Sequence, residues 1–170
     1  HLARLRLMQA QQAGDREQCA AAAAQVFQGA AGCERAYELS RYRACVAAEE
    51  PKAATDALEH AQLAVMQKLV DARVFGAGPA CADERSLVLG LADLHQRNGD
   101  EAARQILLRR AATRIERDLA QDLGRDRAAA DNLRVYIEAL GDWQAHDALL
   151  PRMVATWPDD YVYAFRYGRS

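Results

Sequence analysis

Ala139-Leu-Gly-Asp-Trp-Gln-Ala-His-Asp-Ala-Leu-Leu-Pro-Arg-Met-Val-Ala-Thr-Trp-Pro-Asp-Asp160 holds, in order, a helix end, a tight turn, a whole helix and a break. Gly141 takes a left-handed backbone without a Cβ penalty, so it stops the helix before it. The Asp142 carboxylate follows, suited to accept from the first unpaired N–H groups of the next helix. Ala145, Ala148, Leu149 and Met153 then recur at helical spacing and define one apolar face. Pro158 does not continue a helix, and Asp159 or Asp160 is placed to cap the helix that opens at Tyr161. Neither helix hides its apolar stripe alone. Joined by so short a turn they form an antiparallel hairpin, and a second hairpin has to cover the side still open.

Gly141, Asp142, Trp143 and Pro158 resemble, in type and spacing, the inter-helix turn and closing proline of the tetratricopeptide repeat. Leu133 falls at that family's early Leu, and Gly168 at its second Gly, in the first helix of the next unit. Two residues depart from the pattern: His146 stands where a small Ala is usual, and Arg134 stands at the previous unit's Gly position. The match covers roughly the last 45 residues and loosens upstream. Gly14-Asp15, Gly99-Asp100 and Gly141-Asp142 each separate two helical patterns, so the turn recurs. The step from Gly99 to Gly141 exceeds the roughly 34 residues of a regular unit. The resemblance therefore implies an all-α fold of antiparallel hairpins stacked as an irregular, tetratricopeptide-like, right-handed solenoid. Residues 1–170 would form a single array of about four hairpins and the start of another. A closed helical bundle with similar turns is the competing arrangement.

Composition agrees with an all-helical chain. Apolar residues make up 51%, aromatic residues 6%, and there are 4 prolines. Ala is abundant, and it is both the best helix former and small enough to let helices approach closely. The net charge of −2 gives no electrostatic case for nucleic acid or a membrane surface. No run reaches the roughly 18 apolar residues of a transmembrane helix. Lys52 and Lys68 are the only lysines among many arginines, which suggests a GC-rich bacterial coding sequence. Helical spacing is already present at Leu2, Leu5 and Met8, and residues 161–170 open another helix, so the chain is read as a segment of a longer protein.

In order, the periodicity predicts helices over about 1–12, 15–28, 33–48, 52–74, 82–97, 101–122 and 126–140, followed by the pair described above. Ala57, Leu58, Leu63, Val65, Met66, Leu69 and Val70 are expected inward on 52–74. Ile106, Leu107, Ala111, Ile115 and Leu119 are expected to form the buried stripe of 101–122, with Arg104, Arg109, Arg110, Arg114 and Arg117 on its solvated face. Residues 75–80, Phe-Gly-Ala-Gly-Pro-Ala, read as the longest irregular segment.

The sequence offers no catalytic constellation. It has no Gly-x-Ser-x-Gly elbow, phosphate-binding loop, dinucleotide glycine fingerprint or His-Glu-x-x-His helix. The chain is accordingly read as a non-enzyme without a cofactor. Cys19, Cys33, Cys45 and Cys81, with the four histidines, match no zinc spacing, so no metal is expected. His60, His95 and His146 are expected to be exposed or partly packed. The cysteines are either buried thiols or disulfides. In a hairpin array, the start of 15–28 lies near the end of 33–48, and the first helices of successive units start on one edge. Cys19–Cys45 and Cys33–Cys81 are then the plausible pairs, and oxidation would imply the periplasm or secretion. Inert thiols would fit the cytoplasm as well.

First helices in the resembled family line a concave surface that binds peptides. Carried over by position, this nominates Arg35, Glu38 and Tyr42, then Ser86, Asp93 and Gln96, then Asp131 and Glu138, and finally Phe165 and Arg166. The expected function is a non-catalytic scaffold that binds a protein or peptide. The alternative is an accessory repeat domain of a larger exported enzyme, such as a thioredoxin-fold protein, with catalysis outside this chain.

Overall fold

The computed structural model describes residues 2–29, 52–76 and 84–168. Among the described residues the chain is helical throughout, with no strand. It divides into two compact units, His1–Leu87 and Val88–Ser170. The predicted helix over 33–48, most of the irregular segment 75–80, and Cys33, Cys45 and Cys81 lie outside the described residues.

In the first unit, α1 (Leu2–Ala13) and α2 (Arg16–Gly29) pack together, and α3 (Lys52–Arg73) follows. The α1 sequence is built almost entirely from strong helix formers, Leu, Ala, Arg, Met and Gln. Leu7 and Ala10 meet Cys19, Ala22, Ala23 and Val26 of α2 in one buried cluster, with Ala3 at its margin. The alanines keep this interface thin. On α3, Met66 and Val70 are buried, Leu63 and Leu69 only half-buried, and the side chains of Ala57, Leu58 and Val65 lie outside the described residues.

Helix α4 (Glu84–Arg97) crosses the boundary between the units and buries Leu87, Val88, Leu91, Ala92 and Leu94. The second unit continues with α5 (Glu101–Asp118), a short 3₁₀ turn (Leu123–Arg125), α6 (Arg127–Leu140), α7 (Trp143–Thr156) and α8 (Tyr161–Tyr167). Helix α5 packs on α6, α6 on α7, and α7 on α8. Tyr136, Leu108, Leu150 and Met153 are wholly buried in this unit. Each such side chain contributes about 1.5–3 kcal/mol relative to exposure.

One joint is built the same way three times. Gly14, Gly99 and Gly141 have φ of 67°, 74° and 69°, the left-handed region that glycine favours. In each, the glycine N–H donates three residues back: to Gln11 at 3.3 Å, to Gln96 at 3.0 Å and to Glu138 at 3.0 Å. The aspartate N–H donates five residues back, to Ala10, His95 and Ile137, at 3.0, 2.9 and 3.2 Å. The same aspartate then caps the next helix. Asp15, Asp100 and Asp142 accept through Oδ1 from the N–H of Gln18, Ala103 and Ala145, at 3.0, 2.9 and 3.1 Å. Two residues thus satisfy donors and carbonyls of both helix ends.

The structure departs from the sequence expectations along α5 and α7. Helix α5 ends at Asp118 rather than near 122, because Asp122 instead accepts from Gly124 N–H at 2.9 Å and starts the 3₁₀ turn. On α5, Leu108 takes the core position and Ile106 is 69% exposed. On α7, Leu150 is buried and Ala148 exposed. Pro151 lies inside α7, and the helix continues past it with Leu149, Leu150 and Met153 all buried around it.

Candidate functional site

Of the nominated surface residues, Arg35, Glu38 and Tyr42 lie outside the described residues, as does the side chain of Arg166. Ser86, Asp93 and Gln96 are exposed on α4, and Asp93 pairs with Arg97 at 2.9 Å. Phe165 is 61% exposed on α8 and shares a helical face with Tyr161, which is 80% exposed. Asp131 and Glu138 are half-buried on α6, and these two the structure brings together.

What joins them is Arg134, 3% exposed. One turn of α6 carries Asp131 to one side of it and another carries Glu138 to the other, the i,i+3 and i,i+4 neighbours of a helix surface. Arg134 Nε and Nη2 donate to Asp131 Oδ1 at 3.1 and 3.0 Å, and Nη1 donates to Glu138 Oε1. Across the Gly141 joint, His146 Nε2 lies 3.2 Å from the same Oε1, and its Nδ1 lies 3.5 Å from Asp147 Oδ1. A carboxylate only accepts, so Nε2 carries the hydrogen in the Glu138 bond. The Trp143 ring stands edge-on to His146, with centroids 5.6 Å apart and planes at 79°. Trp143 itself is 61% exposed.

Burial of a guanidinium is tolerated only when its charge is met by partners with good geometry. Asp131 and Glu138 meet it, and both keep an open side to solvent, their side chains being 31% and 35% exposed. The cluster therefore closes the α6–α7 joint from within and turns two carboxylates and an indole outward.

A second cluster sits at the α7–α8 break. Asp160 Oδ1 accepts from Val162 N–H at 3.0 Å, capping α8, while Oδ2 accepts from Arg127 at the start of α6. The Arg127 guanidinium lies over the Tyr163 ring, 5.6 Å from its centroid, and Trp157 lies 5.7 Å from Tyr163. Arg127, Trp157, Pro158, Asp159 and Tyr161 line an open cleft there.

At the opposite end of α6, Arg104 Nη2 donates to the Ala139 carbonyl at 2.6 Å and Nη1 to Glu101 at 2.7 Å. This pairs a cation with an otherwise unfilled carbonyl at a helix C-terminus. It also corrects the expectation that Arg104 belongs to the solvated face of α5. The Glu101 carboxyl is held below its ordinary range, first by the hydrogen bond from Gln105 and then by Arg104.

His60 is exposed as expected, but His95 and His146 are buried, at 8% and 6%. Arg134 and His146 carry the α6–α7 cluster and were absent from the nominated residues. The signal for them was present: they are the two departures from the repeat pattern, and Asp131-x-x-Arg134-x-x-x-Glu138 is an acid–base–acid spacing. Cys19 is buried and disulfide-bonded, and the other three cysteines lie outside the described residues. Among the described residues no group of three His, Cys, Asp or Glu side chains could hold a metal ion. No described helix is long and apolar enough to cross a membrane.

No family model matches the chain, and neither a curated protein nor a solved structure matches it.

Proposed function

We propose that this chain is a non-catalytic scaffold of irregular tetratricopeptide-like hairpins, stacked as a right-handed solenoid, that binds a protein or peptide. The observation that carries the reading is the Gly-Asp joint at Gly14, Gly99 and Gly141, built from the same hydrogen bonds each time. A chain that repeats one joint is repeating one hairpin, and a hairpin with one apolar side stacks on its neighbour. The bond between Arg127 and Asp160 supports the stacking, because it sets the start of α8 beside the start of α6. Outward-facing Asp131, Glu138, Tyr161 and Phe165 are then the surface on which a partner lies.

Affinity capture from a bacterial extract with the purified chain tests this reading. A partner retained at low salt and lost on Phe165→Ala or Tyr42→Ala supports it. A tight self-dimer with no partner replaces it with a structural role.

The second reading, an accessory repeat domain of a larger exported enzyme, is favoured by the disulfide at Cys19, since such bonds persist in oxidising compartments. In that reading the chain works in the periplasm or outside the cell, and the Cys19–Cys45 and Cys33–Cys81 pairs tie its first hairpins together. A catalytic motif encoded next to this segment would distinguish it from the free-standing scaffold.

A further inference from the structure

We draw no further inference here: the strongest candidate, the exposed apolar stripe of Leu2, Leu5 and Met8 along α1 (65%, 56% and 53% exposed), carries nothing because nothing in the structure shows what covers it.

Discussion

Arg134 and His146, on successive helices, meet on a single atom, Glu138 Oε1, which accepts from Nη1 of the first and lies 3.2 Å from Nε2 of the second. Removing that carboxylate leaves a guanidinium that is 3% exposed with Asp131 as its remaining acceptor. Breaking one side of a buried pair costs about 3–5 kcal/mol. Glu138 is partly exposed, so Glu138→Ala is expected to cost about 2–3 kcal/mol in urea unfolding. Asp147→Ala, which removes a 3.5 Å contact from a side chain 61% exposed, should cost under about 0.5 kcal/mol. Equal losses in the two variants would show that Glu138 is no shared anchor. A double change, Arg134→Leu with Glu138→Leu, should recover much of the loss, because no buried guanidinium is then left to be met and Asp131, its side chain 31% exposed, stays open to solvent.

The Gly-Asp joint makes a separate claim about backbone. A Cβ added at Gly141 meets nothing within 4 Å, so any penalty comes from the positive φ alone. Gly141→Ala should therefore destabilise by about 1–2 kcal/mol, and Gly141→Asn by less, because Asn tolerates that conformation better. Asp142→Ala removes the cap on α7 and should cost about 1 kcal/mol. If Gly141→Ala proves neutral in chemical denaturation, the joint does not need glycine.

Glu101 gives a pH signature. Its carboxyl is held below the ordinary 4.5 by Gln105 first and Arg104 second. A group whose folded value is depressed contributes stability above its unfolded value and loses it as pH falls through the folded one. Its NMR titration midpoint should accordingly lie below 4.5, and Gln105→Ala should raise it. A midpoint unmoved by that substitution would place the cause elsewhere.

The oxidation of Cys19 is read by counting thiols. Protein from its native compartment, unfolded without reductant, should show fewer than the 4 thiols the sequence supplies. Adding reductant should lower stability by about 2–4 kcal/mol, the usual contribution of one native disulfide. Finding all of the thiols free would withdraw the argument for export.

The sequence made the joints legible because Gly followed by Asp states two local needs, a left-handed residue and a cap, that no tertiary contact has to supply. Leu133, placed by the resemblance at the repeat's early Leu, is buried on α6 with Ile137 one turn on. The choice between Ile106 and Leu108 was not legible. Ile106-Leu-Leu108 is an unbroken apolar run, and which of its ends turns inward depends on what packs against α5. Arg134 was harder still. An arginine between two acids at helical spacing reads as a solvated face, and that reading holds at Asp93–Arg97. It fails at Arg134, where helix packing covers the guanidinium and His146 reaches Glu138 from the next helix.

Stacking itself is tested at the last described helix. Helix α8 is held by Asp160 to Arg127, by Arg127 over Tyr163 and by Trp157 beside Tyr163. The Arg127 side chain is 60% exposed, so the ion pair and the ring contact together contribute about 1 kcal/mol. In a stacked array stability is nearest-neighbour in character, and an end element opens without the rest. Arg127→Gln should then speed hydrogen exchange of amides 161–167 about fivefold, the equivalent of that 1 kcal/mol. Exchange in α5 and the middle of α6 should stay as it was. A uniform rise across α5, α6, α7 and α8 would mean that these helices open as one cooperative body. That is how a closed bundle behaves, and the repeat scaffold would lose its basis.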